Sequence, residues 1–464
     1  MGKRIALHNL GCKVNAYELD EIAGSLLARG HEIVPFTEDA DIYIVNTCTV
    51  TNIADHKSRQ MLHRAKKKNP EALVVALGCY VDTDAEGVKK DPCIDIALGN
   101  KDKAGLAAVL EEYESAREDD LQKESAAICA GDCIPDTEPA SASYRSRTRA
   151  YLKIQDGCNL FCSYCIIPFA RGRSVSRLPE DVLCEARAVA AQGVKEVVLT
   201  GIHISSYGLD FAEGSSRDTG TAENGTQQGV AEPCANTALT DLIRAINDIP
   251  GIGRIRLGSL EPRMVTAETV AALKSADKLC PHFHLSLQSG CDAVLQRMRR
   301  RYTTEEFENS VALLREAFEN PAITTDIIVG FPGETDAEFA KSREFVERIS
   351  FYETHVFPYS ARKGTTAAKM EGQLTQKEKA ARADVLLKLT AERSKAYREH
   401  FLEIPQRVLW EEEEAINGKT YLTGHTERYV KVAVAADGAD RGIRAGEITT
   451  VTPHGFLTDE ILLV

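Results

Sequence analysis

The chain has 464 residues, 56 Lys and Arg against 69 Asp and Glu, a net charge of −13, and 13 cysteines. This length exceeds what one hydrophobic core sustains, so two to four domains are expected. No run approaches the roughly 18–20 apolar residues of a membrane span, the cysteines are too sparse for a disulfide framework, and the acidic balance argues against a general nucleic-acid binder. Met1 is followed by Gly2-Lys3-Arg4 and a strand, with no apolar leader, so reduced thiols in a cytoplasm are expected.

Residues 1–140 alternate short apolar runs with amphipathic stretches. Strands are predicted at Arg4–Asn9, His31–Phe36, Asp41–Asn46, Ala72–Leu77 and Ile94–Leu98, with helices such as Asn15–Arg29 and Ile53–Lys67 between them. The pattern predicts a small parallel sheet covered by helices, followed by a polar linker that runs to residue 140. Residues 141–400 form a second alternating block. Its strands are predicted at Tyr151–Gln155, Glu196–Thr200, Arg254–Ser259, His282–Leu287, Thr325–Val329 and Glu353–Phe357. Six strand–helix units point to a partial (β/α)6 barrel, with active residues at the carboxyl ends of the strands. A Gly-, Ser-, Thr- and Asn-rich insertion at 211–237 interrupts the block, and one long helix runs from Gln376 to about His400. Residues 401–464 read as short strands with Gly turns, predicting a small β-barrel.

Cys158, Cys162 and Cys165 follow the first strand of the second block in the spacing C-x3-C-x2-C. A structural zinc site takes four ligands, typically as two C-x2-C pairs, and no fourth partner lies nearby. A [4Fe–4S] cluster normally takes four thiolates, so three close ones hold it and leave one iron open to a ligand. A second set is defined by location. Cys12, Cys48 and Cys79 follow the first, third and fourth strands, on the edge where open parallel sheets bind ligands. One cysteine there would read as a small buried hydrophobe. Three, each in a polar turn, read as ligands converging on a metal or cluster. Gly11 and Gly78 beside them would let a bulky group approach. Cys129, Cys133 and Cys234 are given no role, and Cys93, Cys184, Cys280 and Cys291 read as packing residues.

Basic residues cluster at Lys57–Lys68, at Tyr144–Lys153 and at Arg297–Tyr302. The first suits a solvated helix face equally well. The second, directly before the cysteine motif, reads as facing an anionic substrate.

The C-x3-C-x2-C segment closely resembles the signature of the radical S-adenosylmethionine enzymes. Joined to the second triad, it makes nearly the whole chain similar to the methylthiotransferases. That resemblance implies an α/β fold with a flavodoxin-like N-terminal domain (1–140, with its linker), a partial (β/α)6 radical SAM barrel with its connecting helix (141–400) and a TRAM-like small β-barrel (401–464). It implies two [4Fe–4S] clusters, one on Cys158, Cys162 and Cys165 and an auxiliary one on Cys12, Cys48 and Cys79, together with S-adenosylmethionine. Tyr164, Gly201, His203, Ser259, Glu261, Ser286 and Gln288 are the implied cofactor or substrate contacts; turn capping is their ordinary alternative.

The turn Gly11-Cys-Lys-Val-Asn15 resembles the branch acting on N6-threonylcarbamoyladenosine beside the tRNA anticodon; the isopentenyladenosine branch usually has Gln-Met in place of Lys13-Val14. The implied reaction is radical abstraction of the C2 hydrogen, sulfur insertion and S-methylation. Isopentenyladenosine, or an aspartate of a ribosomal protein, is the alternative target, and a non-catalytic iron–sulfur sensor or electron carrier the alternative of another class. The implied partners are the tRNA anticodon stem–loop and a reductant protein, with no membrane and no DNA. Arg145, Arg147, Arg149, Lys57, Arg59 and Arg300 are the expected RNA contacts. The terminal domain departs from the pattern, with six basic against eleven acidic residues from Phe401 onward, where an RNA-binding barrel should be basic.

Overall fold

The structure is a computed structural model that describes residues 2–120, 148–211, 237–435 and 442–464, with the side chains of 114–120 excepted. Cys129, Cys133, Cys234, Arg145 and Arg147 lie outside the described residues. By contacts the chain divides into two compact units: residues 1–146, 157–173 and 360–369 in the first, residues 147–156, 174–359 and 370–464 in the second.

In the first unit, strands β1 (Arg4–Asn9), β2 (Glu32–Val34), β3 (Ile42–Thr47), β4 (Leu73–Gly78) and β5 (Ile96–Leu98) form a parallel sheet in the order β2-β1-β3-β4-β5. That is the flavodoxin-like order, whose ligand edge is the carboxyl ends of the strands. β3 and β4 are buried at every position, as strands covered on both faces must be. Ile42, Ile44, Val75 and Leu77 pack on α1 (Lys13–Ala28) and α5 (Leu106–Asp120), whereas Tyr43, Val45, Val74 and Ala76 pack on α2 (Asn52–Lys68). Two short helices, α3 (Cys79–Thr83) and α4 (Ala85–Lys89), follow β4. α6 (Ile167–Arg171), just beyond Cys165, belongs to this unit and packs on α3.

In the second unit, β6 (Arg149–Asp156), β7 (Val175–Ser176), α7 (Pro179–Ala191), β8 (Glu196–Gly201), α8 (Thr237–Asn247) and β9 (Arg254–Leu257) are followed by α9 (Ala267–Lys274) and β10 (His282–His284). Then come α10 (Asp292–Arg297), α11 (Thr304–Ala317), β11 (Ala322–Val329), α12 (Asp336–Ile349), β12 (Glu353–Pro358) and α13 (Gln376–Glu399). β6-β8-β9 and β10-β11-β12 pair in parallel, and a bridge between Leu260 and Leu285 joins the two sheets into one six-stranded parallel run. This is the expected (β/α)6 arrangement.

Six further strands complete the unit: β13 (Gln406–Ile416), β14 (Lys419–Thr426), β15 (Lys431–Ala435), β16 (Ile448–Val451), β17 (Gly455–Thr458) and β18 (Ile461–Leu463). They form one sheet in the order β16-β13-β14-β15-β18-β17, around the fully buried Trp410. β13 is an 11-residue strand that runs through the four consecutive glutamates, Glu411–Glu414. Two of these are paired inside the unit, Glu411 with Arg149 at 2.8 Å and Glu414 with Lys431 at 2.6 Å, while Glu412 and Glu413 face solvent. Among the described residues no helix is long and apolar enough to cross a membrane.

Candidate active site

β6 delivers the first cysteine set. Gly157 makes the turn possible: its φ is +67°, and a Cβ there would lie 1.9 Å from the Arg173 carbonyl oxygen. The Cys158 amide then donates to Gly172 O at 3.1 Å, Leu160 N to Cys158 Sγ at 3.5 Å and Cys165 N to Cys162 O at 3.0 Å. Cys158 and Cys162 are buried and Cys165 half-buried, so the three thiols share one short, internally bonded loop. Its rim is aromatic: Phe161 and the largely exposed Phe169 meet edge to face, and Arg173 lies over Phe161.

The residues of the second set lie where their location in the sequence put them, at the carboxyl ends of β1, β3 and β4. Cys12 caps the start of α1, Cys48 follows β3, and Cys79 opens α3. Burial pushes the Cys48 thiol up to about 11; the Cys79 and Cys12 thiols push in the same direction, against lowering bonds from the Val50 and Thr49 backbone. Cys48 therefore lies near enough to Cys12 and Cys79 to feel both. Gly11 and Gly78 serve the protein's own packing rather than a ligand. A Cβ on Gly11 would sit 2.1 Å from the Asn15 amide, and one on Gly78, at φ +88°, 2.7 Å from Asn46 Oδ1. Arg362, which sequence reading passed over, pins the Cys48 turn by donating to Thr49 Oγ1 at 2.7 Å and to Asp55 Oδ2 at 2.6 Å.

In the second unit, Gln155, Gly201, His203 and Glu261 lie together at neighbouring strand ends. Gln155 Oε1 accepts from His203 N at 2.8 Å, and a Cβ on Gly201 would meet Gln155 at 2.9 Å. His203 Nε2 lies 3.0 Å from Glu261 Oε2, and the Glu261 amide donates to Ser205 Oγ. Burial raises the Glu261 carboxyl, but His203, with Arg300 and Arg263, pulls harder and leaves it below the usual carboxylate range. Gln288 takes a positive φ of 65° and donates its amide to Asp326 O, while Ser286 O accepts from Tyr302 Oη. Ser259 is exposed, and Tyr164 is half-buried in the cysteine loop of the first unit. Asp326 lies 3.3 Å from His284 Nε2, and His355 stacks on His284; neither histidine was legible as part of a site.

The expected RNA contacts fare unevenly. Lys57 and Arg59 are exposed on α2, and Arg59 lies over Tyr80, next to Cys79. Arg300 is half-buried against Tyr302. Arg149 is not a surface cation: it starts β6, at the end away from Cys158, bonds Glu411 at 2.8 Å and packs on Tyr429. In the terminal sheet Arg428 is spent on the Glu319 and Asn320 carbonyls and Lys431 on Glu414; Lys419 and Arg444 are exposed. Among the remaining cysteines Cys280 and Cys291 are buried, as packing residues should be, but Cys184 is exposed on α7.

Residues 152–346 match the radical SAM superfamily, and residues 4–99 match an uncharacterized protein family, UPF0004. The chain is 38% identical to the threonylcarbamoyladenosine tRNA methylthiotransferase MtaB of Bacillus subtilis, over 92% of this chain and 89% of that protein. It is 35% identical to the MtaB of Aquifex aeolicus, over 92% and 98% respectively. It is 32% identical to a tRNA-2-methylthio-N(6)-dimethylallyladenosine synthase of Acetivibrio thermocellus, over 94% and 86%. Among solved structures, the radical S-adenosylmethionine methyltransferase TsrM of Kitasatospora setae shares the fold, with a TM-score of 0.53 at 16% identity over 79% of this chain and 74% of that one.

Proposed function

Because the chain belongs to the radical S-adenosylmethionine tRNA methylthiotransferases, we propose that it converts N6-threonylcarbamoyladenosine beside the tRNA anticodon into its 2-methylthio derivative. Membership of this enzyme class removes the sensor reading, and it brings with it a [4Fe–4S] cluster and S-adenosylmethionine. We assign that cluster to Cys158, Cys162 and Cys165, whose buried single-loop donor set suits three thiolates and one open iron. A second cluster is assigned to Cys12, Cys48 and Cys79. Three thiols at one carboxyl edge of the sheet, each in a turn beside a strand or helix end, form the soft donor set that an iron cluster takes. When bound, the first cluster delivers the electron that cleaves S-adenosylmethionine and the second holds sulfur for the base.

The chain's own residues bind and orient. Glu261, kept ionised by His203, offers a carboxylate to the ammonium of S-adenosylmethionine. Gly201, Ser259, Ser286 and Gln288 supply small or polar contacts at the neighbouring strand ends, and Tyr164 an aromatic face for adenine. Lys57 and Arg59 are assigned to RNA phosphates. The work would be done in the cytoplasm, with a reductant protein as the electron source.

The single observation that carries the substrate is Lys13. It is exposed as the first residue of α1, directly after Cys12. The threonylcarbamoyl group ends in a carboxylate that an ammonium attracts; an isopentenyl group has no charge to meet it. Nucleoside mass spectrometry of tRNA from a strain lacking the gene tests the reading. The methylthio form of threonylcarbamoyladenosine is expected to vanish while that of isopentenyladenosine remains; the reverse result would overturn it. In the purified enzyme, Lys13→Gln is expected to raise KM for the threonylcarbamoylated stem–loop roughly fivefold, the worth of about 1 kcal/mol for an exposed charge pair.

A further inference from the structure

A polar network within the first unit, unused by the reaction as described, ties the Cys79 turn to helix α6. Asn100, two residues after β5, donates from Nδ2 to Cys79 Sγ at 3.4 Å and to the Ala170 carbonyl at 3.1 Å. Its amide cannot turn over freely, because Lys103 Nζ donates to Asn100 Oδ1 at 2.8 Å. A flip would set NH2 against an ammonium and a carbonyl against the sulfur. Asp82 Oδ2 adds to the hold, accepting from Asn100 N at 2.9 Å, and at 2.6 Å from Nδ2 it shares that group's two hydrogens with Ala170 O and Cys79 Sγ.

Behind Asn100 the charges are buried. Lys103 pairs with Glu18, and the same carboxylate takes both terminal nitrogens of Arg171, at 3.1 and 3.2 Å. The Arg171 side chain is 1% exposed and that of Glu18 6%. Arg171 also donates to Asn15 Oδ1, and Asn15 Nδ2 to Thr47 O at 2.9 Å, next to Cys48. Both anchors on the far side, Ala170 and Arg171, end the helix that begins two residues after Cys165.

An N–H directed at a ligating sulfur stabilises the extra electron of a reduced cluster, and outer partners of metal ligands commonly set potential in this way. We propose that Asn100 is a positioning residue for the second cluster, donating to the Cys79 sulfur and raising the cluster's potential, and that Arg171, through Glu18 and Lys103, holds it in place from the other cysteine loop. The inference rests on the second-cluster reading above. It gives each cysteine loop a mechanical stake in the other: the donor that tunes one sulfur is fastened to the segment carrying the other set.

The test uses the full chain with Cys158, Cys162 and Cys165 all changed to Ala, purified without oxygen, so that only the second cluster is present. Iron and sulfide are counted, and the reduced cluster is titrated electrochemically by EPR. The parent is expected to keep about four irons. Asn100→Ala is expected to keep them with a midpoint shifted to more negative potential and an altered EPR spectrum. Arg171→Ala should shift it in the same direction, and Arg171→Lys should recover most of the change, since the cation on Glu18 is restored. If Asn100→Ala loses iron, the uncharged and similarly sized Asn100→Leu, which lacks the donor, reads the same shift. An unchanged midpoint and spectrum in an iron-replete Asn100 variant would overturn the assignment while leaving the second cluster standing. No iron in the parent would overturn the second-cluster reading, and this inference with it.

Discussion

Glu196 shows how strongly single charges are committed in this molecule. It is 1% exposed at the start of β8, with Arg256 at 2.9 Å, Arg254 at 3.6 Å and Arg149 at 4.0 Å. Burial alone would raise its carboxyl, but the three guanidiniums, Arg256 first, bring it down to about 2. A folded-state value below the unfolded one gives stability that is full above about pH 4.5 and is lost as pH falls toward 2. The shift corresponds to about 3 kcal/mol. Glu196→Gln should therefore unfold more readily at pH 7 and lose less further stability than wild type on acidification; thermal melts at pH 7, 4 and 3 check both. Arg149 was misread as an RNA contact for the same reason. Its partner Glu411 is 262 residues away, and spacing in sequence says nothing about such a pair. Glu18 and Arg171, 153 residues apart, were illegible likewise. The six cysteines stood out in the sequence for two reasons: Cys158, Cys162 and Cys165 by their spacing, and Cys12, Cys48 and Cys79 because each follows a run whose apolar pattern marked a strand end.

At the scale of elements, local chemistry decides what can be read. Helix α12 starts with a capping box in which Thr335 Oγ1 accepts from Glu338 N while the Glu338 carboxylate accepts from Thr335 N. The same device opens α11 at Thr303 and α13 at Thr375. Thr335→Ala is expected to cost about 1 kcal/mol, measured by urea unfolding. β13 is the counter-case: four glutamates in a row disfavour a strand locally, and only pairing with β14 and β16 keeps them in one. Gly157 is the element boundary on which the first cysteine loop turns. Gly157→Ala is expected to displace that loop, because Arg173 O occupies the Cβ position, and to reduce iron to the level of Cys158→Ala.

At the scale of the molecule, the proposed function has the two cysteine sets divide one reaction. Cys12→Ala and Cys158→Ala should each remove about four of about eight irons and leave the other set loaded, as counted on anaerobically reconstituted protein. Loss of all iron in either variant would mean one shared site. The three-layer order of the flavodoxin-like unit, the six parallel strands and the terminal sheet were all legible in the alternation of the chain, whereas the proposed substrate rests on the Cys12 turn alone. The measurement that tests the central claim most directly is a single turnover on a threonylcarbamoylated anticodon stem–loop carrying deuterium at C2 of the modified adenine. Deuterium appearing in 5′-deoxyadenosine, together with a methylthio group in place of C2 hydrogen, is the predicted result with wild type, and neither is expected with Cys158→Ala. Unlabelled 5′-deoxyadenosine with an unmodified adenine would contradict it.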